Sequence, residues 1–259
     1  MRRDFAFLDS ARPLAFAHRG GAAGGLENSL AAFERAVRLG YRYLETDVHV
    51  TADGVLLAFH DTTLDRVTDR VGRISDLPYA EVAAARIGGV EPIPRLEDLL
   101  GAWPDVKVNV DVKVPGAIDA LVEVIRRTGT IDRVCVAAFS EARVARARAA
   151  LGPRLCTALG PRGALALRLS SYAGGRGAGG LGRVPCAQVP ARVGPLSVVD
   201  DRFVATAHGL GIQVHVWTVD DPVQMRRLLD LGVDGIMTDE IEALRDVLAA
   251  RQEWSGPSR

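Results

Sequence analysis

The chain has 259 residues, 48% of them apolar, with 32 basic and 32 acidic side chains. Its length is close to the ~250 residues of a single (β/α)8 barrel and supplies a sizeable core. The balanced charge excludes a nucleic-acid binder that works through a broad basic surface, so an anionic ligand has to be held by a local site.

Short β-rich runs alternate with helical patterns along the chain. "LAFAH" (14–18) reads as a strand and "NSLAAFERAVRLG" (28–40) as a helix, with Asn28 as candidate N-cap and Gly40 as stop. "YRYLETDV" (41–48) is a second strand, and after an Asp53-Gly54 turn "VLLAFH" (55–60) adds a hairpin strand. The stretch 61–94 is polar and irregular, and the helix "RLEDLLGAW" follows it. Further strands are expected at 106–113, 133–139, 154–159, 186–190, 212–219 and 234–238, each ahead of a helical pattern. Eight strand-then-helix units demand parallel strands and crossovers and close a barrel. An open doubly wound sheet is the rival, but no strand–GxGxxG–helix fingerprint stands where it should. The glycines of 174–183 follow a helix, which fits a linker loop rather than a phosphate cradle. The expected fold is therefore a (β/α)8 barrel with a short hairpin and loop insertion after the second strand, one domain over 1–259.

Cys135, Cys156 and Cys186 lie in or beside apolar runs, with no Cys-x-x-Cys spacing. That argues against a disulfide framework or a zinc site and for three buried thiols in a reducing compartment. The leading segment is broken by Asp4, Asp9 and Arg12 and makes a poor signal peptide. No apolar run reaches the ~18 residues of a spanning helix. A soluble cytoplasmic enzyme is expected.

Barrel enzymes carry their chemistry at the C-terminal ends of the strands. Those ends hold His18-Arg19, Glu45 and Asp47, His60-Asp61, Asp111 and Lys113, and Trp217. Strand residues two apart share a face, so Glu45 and Asp47 point together, as do Asp111 and Lys113. Unpaired carboxylates cost several kcal/mol each to bury. A hard divalent cation, Mg2+ or Ca2+, would relieve three of them at one mouth. A salt-bridge network through Lys113 and Arg19 is the plainer alternative. Two imidazoles titrating near neutrality can serve as acid and base, while Arg19 and Lys113 suit a phosphate. The constellation reads as metal-assisted phosphoryl chemistry.

The other polar positions are weaker. His49 shares the parity of Glu45 and Asp47 but is expected past the strand end, in solvent. His208 is expected on a helix surface, and His215, sharing the parity of Trp217, is a candidate to line the barrel. Trp217 fits a core position or the wall of a glycerol-like ligand equally well, and Asn28 fits a helix cap or a substrate contact. The glycines after Arg19 are read as allowing close approach of backbone and substrate, or as a flexible loop.

These residues resemble the glycerophosphodiester phosphodiesterase family over nearly the whole chain. "HRG" and "EN" (18–20, 27–28), "LETDVHVTADG" (44–54), "FHD" (59–61), "VDVK" (110–113), "VWTVD" (216–220) and "GVDGIMTD" (232–239) match its motifs in order. The resemblance implies a TIM barrel that hydrolyses glycerophosphodiesters to glycerol 3-phosphate and an alcohol with a divalent cation. It implies His18 and His60 as the acid–base pair, and Glu45, Asp47 and Asp111 as metal ligands. Arg19 and Lys113 then contact the phosphate, with Glu27 and Trp217 beside the substrate. In the family's scheme the glycerol 2-hydroxyl attacks phosphorus, a cyclic phosphate forms and water opens it. Two departures stand out. Asp111 replaces the more usual glutamate, shorter by about 1.5 Å. Ala138-Phe139-Ser140 stands where the fourth strand more often ends Ser-Phe.

Two other functions fit less of this pattern. One is a lysophospholipase D, using the mildly apolar 190–199 loop and Trp217. The other is a non-catalytic barrel that binds a phosphorylated ligand. The expected partner is a small-molecule phosphodiester, with no nucleic acid and no stable membrane anchor; the oligomeric state stays open.

Overall fold

Alternation along the strands builds the layers. In "KVNVDV", Val108, Val110 and Val112 turn outward into the large apolar cluster shared with the helices. Asn109 and Asp111, on the opposite parity, turn inward. The same period-two rule sends Leu44 and Val48 of the second strand outward, leaving Tyr43, Glu45, Asp47 and His49 on the inner face.

The computed structural model describes residues 5–9, 13–177, 180–181, 184–254 and 256. Residues 178, 179, 182 and 183 of the expected glycine linker, and 1–4 and 10–12 of the leading segment, lie outside them.

Eight parallel strands form the wall: β1 Leu14–His18, β2 Tyr43–Val50, β3 Lys107–Val112, β4 Val134–Ala137, β5 Cys156–Thr157, β6 Cys186–Pro190, β7 Gln213–Trp217 and β8 Gly235–Thr238. Sheet order follows the chain from β1 to β5, and β1 pairs with β8, β8 with β7 and β7 with β6. The ring closes between β5 and β6 by an isolated bridge from Ala158 to Cys186, where Leu159 N–H also donates to Cys186 O at 2.9 Å. One helix follows each strand: α1 Leu30–Arg38, α2 Leu96–Ala102, α3 Ala117–Thr128, α4 Glu141–Leu151, α5 Pro161–Tyr172, α6 Asp201–Gly209, α7 Pro222–Asp230 and α8 Ile241–Ala250. The nearly closed (β/α)8 barrel matches the fold expected from the sequence. Among the described residues, no helix is long and apolar enough to cross a membrane.

Strand Leu56–Ala58 runs antiparallel to β2, as the Asp53-Gly54 turn predicts, and opens the insertion ahead of α2. The stretch read as irregular carries a core of its own, including Leu64, Ile74, Val82, Ile87 and Ile93. A third cluster fills the N-terminal half of the barrel: Leu14, Phe16, Tyr43, Met237 and the three cysteines, plugged by Phe7. The interior is thus apolar below and polar at the mouth.

Candidate active site

Register brings the strand-end residues side by side. His18 pairs with Glu45 across β1–β2, and Asp47 pairs with Asp111 across β2–β3. Glu45, Asp47 and Asp111 are all buried. Lys113, just past β3, inserts its ammonium between two of them, 2.7 Å from Asp47 Oδ1 and 2.6 Å from Asp111 Oδ2. Arg19 adds an ion pair, Nε to Asp47 Oδ2 at 3.1 Å, and its backbone N–H donates to Glu45 Oε2 at 3.2 Å. The salt-bridge network weighed from the sequence is therefore present.

The network leaves negative charge unsatisfied. Asp111 Oδ1 is buried without a hydrogen-bond partner. Burial, and then the Asp47 charge, push Glu45 up to about 8. Asp47 moves the other way. Burial would raise it, but Lys113 and Arg19 outweigh that and hold it below the ordinary carboxylate range. An all-oxygen set with an orphaned carboxylate oxygen and a proton-seeking glutamate suits a hard divalent cation.

Both imidazoles are clamped through Nδ1. His18 Nδ1 lies 2.7 Å from Asp239 Oδ1, and His60 Nδ1 lies 2.6 Å from Asp61 Oδ1. A carboxylate only accepts, so Nδ1 carries the hydrogen and Nε2 is the nitrogen left to substrate. Burial would lower the His18 pKa, but Glu45 and Asp239 outweigh it and leave the ring above its usual value. Asp239 is anchored through its backbone and Asp61 through its carboxylate. Asp239 N–H and Thr238 Oγ1 both donate to Asp220 Oδ1, at 2.8 and 3.0 Å. Asp61 accepts from Arg66 Nε at 2.6 Å, which with the His60 bond keeps it at about 2. Arg66 also grips Glu27 through both terminal nitrogens, and Glu27 accepts from Arg19 Nη1 at 3.0 Å. One chain of contacts thus runs from His60 on the insertion to Arg19 just past β1.

The sequence did not single out Asp239, Asp220 or Arg66. Asp61 carries a readable signal, since it stands at a strand end beside His60, and Asp239 directly follows the expected strand 234–238. Arg66 carries none, because a loop folded over the mouth has no periodicity.

Several expectations change. Asn28 is not the cap: it lies in the left-handed region (φ 61°), its amide donates to Asp47 Oδ2 at 3.3 Å, and its carbonyl accepts from Thr46 Oγ1 at 2.7 Å. Ser29 caps α1 instead, accepting from Ala32 N–H. His49 is buried rather than solvated, because pairing with the hairpin strand carries β2 on to Val50. Its Nε2 lies 2.9 Å from His60 O. Gly20 allows close approach of backbone to a helix: a Cβ there would fall 2.9 Å from Ala32 backbone. Ser140 caps α4, accepting from Arg143 N–H. Trp217 is half-buried and packs edge-on against the exposed Phe139, centroids 5.7 Å apart. His215 lines the barrel as expected, and His208 is a partly exposed helix residue 2.7 Å from Asp234.

The profile of the Glycerophosphoryl diester phosphodiesterase family matches residues 18–243. The chain belongs to this family. Membership makes it a phosphoric diester hydrolase. A Mycobacterium tuberculosis protein, "Probable glycerophosphodiester phosphodiesterase 2", is 42% identical, with 96% of each chain covered. Among solved structures, a putative glycerophosphoryl diester phosphodiesterase from Silicibacter pomeroyi shares the fold with a TM-score of 0.79, 24% identity, and 96% of this chain and 98% of that one covered. An Oleispira antarctica phosphodiesterase in complex with sn-glycerol-3-phosphate superposes with a TM-score of 0.76 at 24% identity, covering 92% and 97%.

Proposed function

We propose that the chain hydrolyses glycerophosphodiesters to glycerol 3-phosphate and an alcohol, with His18 and His60 as the acid–base pair. The observation that carries this reading is the pair of imidazoles, each oriented at Nδ1 by its own carboxylate, around buried acids and two cationic side chains. His18, held above its ordinary pKa, is suited to protonate the leaving alcohol. His60, oriented by Asp61, takes the proton of the glycerol 2-hydroxyl as that oxygen attacks phosphorus. The cyclic phosphate so formed is opened by water with the two roles exchanged. Arg19 and Lys113 hold the phosphate oxygens, Arg19 as a fork and Lys113 as a point charge.

Glu45, Asp47 and Asp111 would hold a divalent cation, Mg2+ or Ca2+. When bound, such an ion neutralises charge on the phosphoryl oxygens. Lys113, which bridges Asp47 and Asp111 in this structure, would then be released toward substrate. Three free buried thiols fit a cytoplasmic home.

The test is release of glycerol 3-phosphate from glycerophosphocholine. Turnover should fall at least ~10²-fold in His18→Ala or His60→Ala and vanish with chelator. Tight diester binding without turnover in Mg2+, Ca2+ or Mn2+ would instead make this a binding barrel.

An apolar rim favours one second substrate class, lysophospholipids. Phe139 (63% exposed) beside Trp217, and Val193 (59%) and Leu196 (70%) on the hairpin after β6, stand at the same end of the barrel. A higher kcat/KM on a lysolipid than on a water-soluble diester, reduced by Phe139→Ser, would mark that use.

A further inference from the structure

Three cysteines that are distant in the chain meet inside the barrel, away from the mouth. Cys135 on β4, Cys156 on β5 and Cys186 on β6 are all buried and free, with their Sγ atoms within 4.8 Å of one another. Cys135 and Cys156 are register partners, and Cys186 faces them across the β5–β6 closure. Asn109, the neighbour of Cys135 in register, lies two residues short of Asp111, so the sulfurs sit one layer below the acids on that side.

The next strand, β7, adds His215, fully buried. Its Nε2 lies 3.1 Å from Gln213 Oε1. The amide oxygen can only accept, so Nε2 carries the hydrogen and Nδ1 the lone pair. That Nδ1 is buried with no hydrogen-bond partner. The ring's Cδ2 is turned to β8, since a Cβ on Gly235 would fall 3.1 Å from it. The opposite edge, with Nδ1, faces away from β8; His215 stands outside the group of sulfurs that lie within 4.8 Å of one another, so its ring has to move in to share an ion with them.

We propose that Cys135, Cys156 and Cys186 form a closed structural site for Zn2+, completed by a movement of the His215 ring, which ties β4, β5, β6 and β7 together across the seam of the barrel. Three thiolates and one neutral imidazole are a zinc donor set. Sulfurs bound at ~2.3 Å in a tetrahedron stand ~3.8 Å apart, so the 4.8 Å ceiling leaves under ~1 Å of closing movement. Gln213, accepting from Nε2–H, supplies the outer hydrogen bond that fixes the tautomer a metal-bound histidine needs. Binding releases the thiol protons, and three thiolates on a divalent ion leave one net negative charge. Lys107, half-buried and near enough to Cys156 to act on its thiol, offsets it. Sulfur donors exclude Mg2+ and Ca2+, so this site does not compete with the oxygen set at the mouth. Its closed position means that metal enters while the barrel folds.

The seam explains what such an ion would do. β5 is two residues long and meets β6 through an isolated bridge, which makes this the most weakly laddered join in the ring. Zinc there would replace missing ladder hydrogen bonds with four metal–ligand bonds.

The test is to express the full chain in zinc-depleted medium supplemented with Co2+ and record its visible spectrum. The expected result is thiolate-to-cobalt charge transfer and the strong d–d bands of a tetrahedral site, one equivalent per chain, resistant to chelator until the protein unfolds. The triple variant Cys135→Ala, Cys156→Ala, Cys186→Ala should lose those bands. Glu45→Gln should keep them, which separates this site from the oxygen ligands of the mouth. Should the triple variant fail to fold, the wild-type spectrum alone decides. A folded wild-type chain with only the weak bands of oxygen-ligated cobalt, or with none, overturns the proposal and leaves three packed thiols.

Discussion

His18 and His60 reach the mouth by different routes, one at the end of a barrel strand and the other from the insertion. Their common feature is a carboxylate on Nδ1. Asp239 is one of the groups that raise the His18 pKa. Asp239→Asn should therefore lower it, and the high-pH limb of the kcat profile should shift to lower pH, as proton donation fails earlier. A profile left in place would remove Asp239 as a positioning residue. The Asp61 carboxyl, at about 2, is depressed by Arg66 first, then by His60 against some burial. A depressed carboxyl contributes stability that is full above the unfolded value near ~3.9 and is lost as pH falls toward the folded one. Asp61→Asn should flatten the pH dependence of unfolding between those limits, as measured by urea titration at several pH values.

At the scale of elements, the turn between β1 and α1 is under the tightest steric control. Arg19 and Asn28 take positive φ without being glycine (52° and 61°), and Asn28 N–H closes the loop on Arg19 O at 2.8 Å. Non-glycine residues in that region cost of order 1–3 kcal/mol each, a strain common at functional sites. Here it aims a guanidinium and an amide at Asp47. Gly20, at φ +82°, presses against the first turns of α1 so closely that no Cβ fits. Gly20→Ala should destabilise the fold by roughly 1–3 kcal/mol and lower kcat by displacing Arg19. Equal stability and turnover in that variant would show that the turn has more freedom than its contacts imply.

Over the whole molecule, the barrel separates a dry lower half from a charged mouth. Phe7 closes the bottom, 1% exposed, edge-on to Tyr43 at 5.3 Å, while its carbonyl accepts from the Tyr43 hydroxyl at 2.7 Å. Phe7→Ala opens a cavity there and should cost ~3–5 kcal/mol in thermal or denaturant unfolding, with KM for the diester unchanged. A change in KM without a loss of stability would contradict the separation of the two halves.

Periodicity and strand-end chemistry were enough to read the eight units, the hairpin and the inward parity of Glu45, Asp47, Asp111 and Lys113. These are local properties: a period of two sorts faces, and turn residues end elements. Tertiary structure alone decided which partner each polar group finds. It set Asp239 on His18 although 221 residues separate them, carried Arg66 over Glu27, and buried His49 behind a hairpin whose register no single strand announces. It also gathered three cysteines whose spacing carries no metal pattern. Contacts of that range depend on how strands close into a ring, and closure is a property of the assembled sheet rather than of any stretch of sequence.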